Sequence, residues 1–222
     1  MAITLGSSGV VFPDGTTQTE KFDTTDDVGA LYTINQYNAS GTWTKSAGVR
    51  QLRVIVVGGG GGGCGHAESG GAGGFAEKWI DVSGWATGTT VAVTCGGAGD
   101  GRTYHQGCGD GGTSSFGPHV SASGGYGANR NWGHSGGHGG IGSGGDINLW
   151  GGGGSGHENE GSGKGGASYF GGGGLATHHN WRSYASEGSN HNAPGSGGTG
   201  TWTSHERGAY GCVGSVVVYN YK

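Results

Sequence analysis

The sequence predicts a mainly β protein: a small antiparallel β base carrying a bundle, or sandwich, of polyglycine-II helices, with a loop-rich distal end and almost no α-helix. Three observations predict it. The apolar run QLRVIVV at 51–57 passes without a break into GGGGGGCG at 58–65. Short glycine runs then recur to the end of the chain, at 70–74, 96–101, 107–112, 136–145, 151–156, 161–166, 171–174 and 195–200. Segments rich in β-branched and aromatic residues bracket this region on both sides.

Sixty glycines in 222 residues far exceed the usual share of roughly 7%, a composition that could suit a disordered low-complexity chain. Seven Trp and nine Tyr argue against a solvating linker, and a charged fraction of 12% leaves little repulsion to keep the chain expanded. Collagen is excluded, because no G-X-Y register is sustained and only Pro13, Pro118 and Pro194 occur. A net charge of −4 with eleven scattered Lys and Arg offers no basic stripe, so nucleic acid is not an expected partner. The first residues lack the basic and apolar regions of a signal peptide. No apolar run approaches the roughly 20 residues that span a bilayer. Synthesis in the producer's cytoplasm is expected. Cys64, Cys95, Cys108 and Cys212 form no CxxC pair and no zinc spacing. They are read either as two bridges, Cys95 with Cys108 and Cys64 with Cys212, or as small buried thiols.

In chain order, residues 1–22 alternate a few apolar residues with turn formers, and FPDG at 12–15 reads as a β-turn followed by an extended TTQT. This stretch is too thin to bury a core alone. It is expected to pair with copies of itself or with a partner, and with the polar linker DTTDD it sets off 1–30 from a main domain at 31–222. Segments 31–37 and 41–44 follow, then a turn at Ala47-Gly48 and the strand at 51–57; together they read as a hairpin or meander with Trp43 covering one face. Segments 75–82, 89–94 and 214–221 add further strands, giving five or six in the base.

The glycine runs have a physical use. A polyproline-II-type helix has three residues per turn, rises about 3.1 Å per residue and makes no internal hydrogen bonds. Glycine in that helix keeps its N–H and has no Cβ, so neighbouring helices can approach closely and bond laterally, as buried backbone requires. The entropy lost in ordering so much glycine demands a dense bundle. Ser162, Lys164, Asp110 and Thr199 are expected at outward positions, and a bulky residue in an inner run should break it.

Several segments resemble a known family. FPDGTTQT is similar to a sequence common in phage tail-fibre proteins, where it lies in a typically trimeric segment. SGTWTKSAGVRQLRVIVVGGGGGG, GCGDGGTSSFGPHVSASGGYGA and GAYGCVGSVVVYNY resemble the glycine-rich domain of phage tail proteins, best understood in the tip adhesins of T-even-like long tail fibres. The resemblance covers roughly 38–222. It implies a polyglycine-II sandwich whose distal loops select a bacterial surface receptor, either an outer-membrane protein or a surface polysaccharide, and a place in the virion. Unlike those adhesins, this chain carries its own fibre-like N-terminal segment. That implies a homotrimeric fibre or tip joined to other tail proteins through 1–22.

The segments between the glycines are rich in Trp, Tyr, Arg, His and Asn, the composition of binding surfaces. The candidate receptor-binding residues are Tyr104, His105, Asn131, Trp132, Trp150, His178, His179, Trp181, Arg182, Tyr184, His191, Trp202, His205 and Arg207. The segment 175–194 is the longest and most mixed. Packing against the glycine slab is the alternative use of each Trp. Metal candidates are His178 with His179, His134 with His138, and His157 with Glu158 and Glu160. Adjacent histidines on a strand face opposite ways, and Ser-Gly-Gly disfavours a helix at 134–138, so no metal or other cofactor is expected. No nucleophile elbow, HExxH or paired-carboxylate spacing stands out, and GSGKGG at 161–166 lacks the Ser/Thr of a P-loop. The expected function is therefore recognition without catalysis. A purely structural virion fibre or decoration protein is the rival, and an ice-binding glycine bundle with a flat Ala/Thr face is a further one.

Overall fold

The computed structural model of the chain describes residues 4–6, 9–11, 17–18, 29–65, 68–103, 107–128, 135–156, 163–174, 193–201 and 207–222. It is mainly β, with no helix among the described residues. At the N-terminus, β1 (Thr4–Gly6), β2 (Gly9–Val11) and β3 (Thr17–Gln18) form a separate antiparallel sheet, with Val11 opposite both Thr4 and Thr17. The FPDG turn and the DTTDD linker lie outside the described residues.

The base is a sandwich of two antiparallel sheets. One has the order β12 (Ile147–Leu149), β7 (Phe75–Asp81), β6 (Gln51–Val57), β13 (Ser215–Tyr221), β4 (Leu31–Tyr37). The other runs β11 (Gly142–Ser143), β10 (Val120–Ala122), β9 (Ser114–Phe116), β8 (Thr90–Thr94), β5 (Gly41–Thr44). Period-2 alternation sends Leu52, Val54 and Val56 of β6, with Val216 and Val218 of β13, into the space between the sheets, where Val91, Val93, Phe116 and Val120 meet them.

Trp43 stands at the centre of this core rather than over one face. It is 1% exposed and packs edge-on against Trp85 and Phe116. Its indole N–H donates to Asn220 Oδ1 (2.9 Å), while Asn220 Nδ2 donates to Asn35 Oδ1 (2.9 Å), so the buried amide is satisfied on both sides.

The expected strands all form, but two expectations are corrected. The 31–57 region is no hairpin: β4 and β6 lie in one sheet and β5 in the other, so the chain crosses the sandwich twice, as Trp43's place in the core requires. The base also has more than five or six strands. Short Ser/Thr-rich strands at 114–116 and 120–122, and DINLW at 146–150, were too brief or too polar to read as strands. Ile147 and Leu149 pair with Glu77 and Phe75 of β7, so this segment belongs to the base and not to a distal turn.

The glycine runs stand on the ends of these strands. Runs 58–65, 95–103, 123–128 and 150–156 leave from β6, β8, β10 and β12. Runs 68–74, 107–113, 135–141 and 207–214 return into β7, β9, β11 and β13. Runs 163–168, 171–174 and 193–201 adjoin no strand among the described residues. In run 58–65 the hydrogen-bond partner changes with every residue and comes back at every third. Gly58, Gly61 and Cys64 donate to Gly74, Gly71 and Glu68; Gly59 and Gly62 to Gly112 and Gly109; Gly60 and Gly63 to Cys212 and Ala209, all between 2.8 and 3.0 Å. The carbonyls follow the same period: Gly59 and Gly62 accept from Gly125 and Ala128, Gly60 and Gly63 from Gly99 and Arg102, Gly61 and Cys64 from Gly198 and Thr201. Run 58–65 is thus encircled by six others, three returning runs that accept from it and three outgoing runs that donate to it.

Run 68–74 is encircled in the same way, by runs 58–65, 123–128, 135–141, 150–156, 163–168 and 193–201. A Cβ built on any residue from 58 to 63 overlaps a neighbouring carbonyl, for example Ser196 O at Gly60 and Tyr126 O at Gly61. Only glycine fits there.

Candidate functional site

The outer runs show where side chains are admitted. Exposed positions recur every third residue: Gly107, Asp110 and Thr113; Ser135, His138 and Ile141; Arg207, Tyr210 and Val213. Each of these runs turns one residue in three to solvent and spends the other two on lateral bonds. Lys164 and Asp110 are exposed as expected, Thr199 is half-buried, and Ser162 lies outside the described residues.

The ends of the runs fix where the glycine-poor inserts are attached. Gly65 N donates to Arg102 O (3.0 Å), Gly208 N to Arg102 O (3.1 Å), Thr201 N to Cys64 O (3.0 Å) and Ala128 N to Gly62 O (3.0 Å). Nearby, Ser69 N donates to Ser155 O (3.1 Å) and Ser155 N to Lys164 O (3.0 Å). These residues adjoin the inserts 66–67, 104–106, 129–134, 157–162 and 202–206, so both ends of each of those inserts lie at the end of the slab away from the base. The insert 175–192 is anchored differently. It departs from Gly174, whose carbonyl accepts from Gly165 N (3.1 Å). It returns at Ala193, beside Gly195, which bonds Val213 and Gly73 near the base. Gly195 makes that re-entry with a φ of 77°.

Tyr104, His105, Asn131, Trp132, His178, His179, Trp181, Arg182, Tyr184, His191, Trp202 and His205 lie outside the described residues, as do the metal candidates His134, His157, Glu158 and Glu160. The two described candidates are far apart. Trp150, 70% exposed, follows β12 and bridges to Ile141 at the base. Arg207 is at the insert end, where its guanidinium donates to Gly101 O (3.0 Å) and Tyr210 Oη (3.2 Å) and lies over the Tyr210 ring. Among the described residues no three His, Cys, Asp or Glu gather as metal ligands.

A disulfide fastens the same end. Cys64 of the central run is bonded to Cys108 of a run beside it, with Cα atoms 5.9 Å apart. This corrects both sequence pairings. Cys95 and Cys108 leave the base and approach it on opposite strokes of their runs, so Cys95 stays at the sandwich, where its Sγ donates to Tyr37 O (3.3 Å). Burial pushes its thiol pKa up. Cys212 is no partner of Cys64 in that bridge, since it sits level with Gly60.

The sequence reading missed Tyr126 and Tyr210, 56% and 38% exposed on the flanks of the slab. The three-residue spacing that puts Tyr210 in line with Arg207 was the signal that could have found it. An open cavity of about 530 Å³, lined by Trp85, Thr89, Val91, Pro118 and His119, lies at the base, away from the inserts. Trp85 and His119 face each other across 5.4 Å.

Residues 35–221 match the family model described as "Glycine-rich domain". No curated protein matches the sequence. The matched span takes in every glycine run and both sheets of the base apart from the first four residues of β4, and the chain belongs to the glycine-rich domain family.

Proposed function

We propose that this chain is a bacteriophage tail-fibre or tip adhesin. Its glycine runs are polyglycine-II helices, its N-terminal residues 1–22 join it to other tail proteins, and its inserts recognise a bacterial surface receptor without catalysis. The observation that carries this reading is the common attachment of the inserts 104–106, 129–134, 157–162 and 202–206 at one end of the slab. Segments as varied as RTYHQ, ANRNWGHS, HENE and TWTSHER are then held at the same end of the slab by the described residues that flank them. The three-residue rotation of hydrogen bonds around run 58–65 supports the helix type, whose period is three. The disulfide and the Arg207 bonds to Gly101 support an end held stiff enough to present loops, which reduces the ordering cost of binding. Several copies per virion would multiply a modest affinity.

The test is binding of labelled, purified protein to a panel of bacterial strains, beside a variant with Tyr104, Trp132 and Trp202 changed to Ala. The expected result is selective binding to some strains, lost in a variant that melts like the parent. Absence of binding across a broad panel, or binding indifferent to the substitutions, would favour a structural fibre or decoration role.

A further inference from the structure

The two outer faces of the base differ in chemistry. On the β11–β10–β9–β8–β5 sheet, the outward positions are Thr42, Thr44, Thr90, Ala92, Thr94, Ser115, Ser121 and Ser143, a surface mostly of hydroxyls and suited to water. On the other sheet they are mainly apolar, with Gln36, Gln51, Asp81 and the Arg53–Glu77 pair among them. Near the slab this face is covered: Ile55, Val57, Phe75 and Val217 are buried, and Tyr169 stacks on Phe75 at 3.9 Å. Farther from the slab, Ile34, Trp79 and Ile147 are 52%, 43% and 48% exposed, Leu31 is about as open, and Tyr219 and Tyr221 lie half-buried between them, while Leu149, level with Phe75 on the β12 edge, is 46% exposed.

We propose that this uncovered half-face, with the adjoining edge of β4, is the surface on which copies of this chain associate. Three observations point to a second copy as its occupant. The first is size. Side chains of this kind, about half exposed, present on the order of 600 Å² of apolar surface, at the top of what a monomer normally shows. With the β4 edge this approaches the roughly 800 Å² that each partner gives to a stable interface.

The second is charge. Arg53 and Glu77, in the middle of the face, neutralise each other through two bonds of 2.8 and 2.9 Å, and the Arg53 guanidinium lies over the Tyr219 ring. The rim carries both signs, Asp81 and Lys222. Identical copies can therefore meet without like-charge repulsion. The third is the edge. Among the described residues β4 pairs only with β13, is seven residues long, and has neither a charge nor a proline in LYTINQY. Edges that must stay unpaired are usually short or guarded by such residues; β11, β12 and β5, the other edges of the base, are two, three and four residues long. The proposal stands independently of the adhesin reading.

The test uses the full chain. Its mass in solution is measured by light scattering, and side-chain accessibility by hydroxyl-radical footprinting, for the parent, for Ile34→Lys with Ile147→Lys, and for a control with Thr42→Lys and Thr90→Lys. The expected parent is a multiple of 21.9 kDa, with Trp79 labelled several-fold less than the comparably exposed Tyr126. The Ile34/Ile147 variant labels Trp79 like Tyr126, and the control behaves as the parent. A monomeric parent overturns the proposal, including one with Trp79 protected, which would mean that the chain's own segments cover the face. A multimer in which Trp79 labels as freely as Tyr126 overturns it too, because the copies then meet elsewhere.

Discussion

Around Val54 and around Gly60 the chain is equally buried, yet what fills the space is opposite. At Val54 the backbone bonds lie within one sheet, and the gap to the next layer is filled by Trp43, Phe116 and valines. At Gly60 there is no gap. The carbonyl accepts from Gly99 N, the N–H donates to Cys212 O, and Ser196 O occupies the place of a Cβ. The base is held mainly by apolar burial between layers. The slab is held by backbone bonds running outward in several directions from each run, with dispersion between close-packed backbones. The difference teaches that burial alone does not set tolerance to substitution. What matters is whether the space belongs to side chains or to carbonyls.

Substitutions sharpen that contrast. The largest effect is expected at the centre of the slab: Gly60→Ala adds one methyl that no rotamer change can accommodate, because the obstacle is backbone. It should cost more than about 4 kcal/mol, beyond ordinary overpacking, measured by denaturant unfolding. Trp43→Ala removes the largest core side chain and orphans Asn220 Oδ1, and should cost about 4 kcal/mol. Cys108→Ser releases a cross-link spanning 44 residues and should cost about 3 kcal/mol, with Gly62 and Gly63 exchanging their amide protons faster than Gly58. Gly172→Ala, where an added Cβ meets nothing within 4 Å, should shift stability by no more than about 0.5 kcal/mol. A similar cost at Gly60 and Gly172 would erase the distinction between inner and outer runs.

A smaller, pH-dependent effect belongs to the base. Since burial raises the Cys95 thiol pKa, less of it is thiolate at pH 8 than in an unfolded chain. Alkylation of Cys95 followed by mass spectrometry should be several-fold slower in the native protein, with the rate still rising above pH 9. Equal rates in folded and unfolded protein would refute the burial argument.

Much of the base was legible because its strands carry their own pattern. QLRVIVV and SVVVYNY alternate or run apolar and end at turn residues, and 31–37, 41–44 and 51–57 formed at the expected bounds. The short strands were not legible, because SSF and VSA owe their pairing to the glycine runs that place them and not to propensity. Which sheet β5 joins was hidden too, since adjacency in sequence favours a hairpin with β4 and only the burial of Trp43 decides otherwise. In the slab, the glycine runs announced lateral packing. The outward third positions, such as Arg207, Tyr210 and Val213, are visible in the sequence once the three-residue period is applied to each run. The Cys64–Cys108 bridge depends on which runs are neighbours, and nothing local encodes that. For the candidate site, composition marked the inserts, while the levels of Gly174 and Ala193 that set 175–192 apart, and the place of Trp150 in the base, come only from the fold.

The most direct test of the account is amide hydrogen exchange at 59–63, read residue by residue beside β6. The atoms nearest the Cα of each of these glycines on its Cβ side are backbone, so their protection comes chiefly from lateral backbone bonds within a closed lattice. The account predicts protection within about tenfold of that at Val54 and Val56, lost together with the fold. Exchange at unprotected rates at 59–63, while β6 stays protected, would contradict it and leave the β sandwich as the only cooperative part of the molecule.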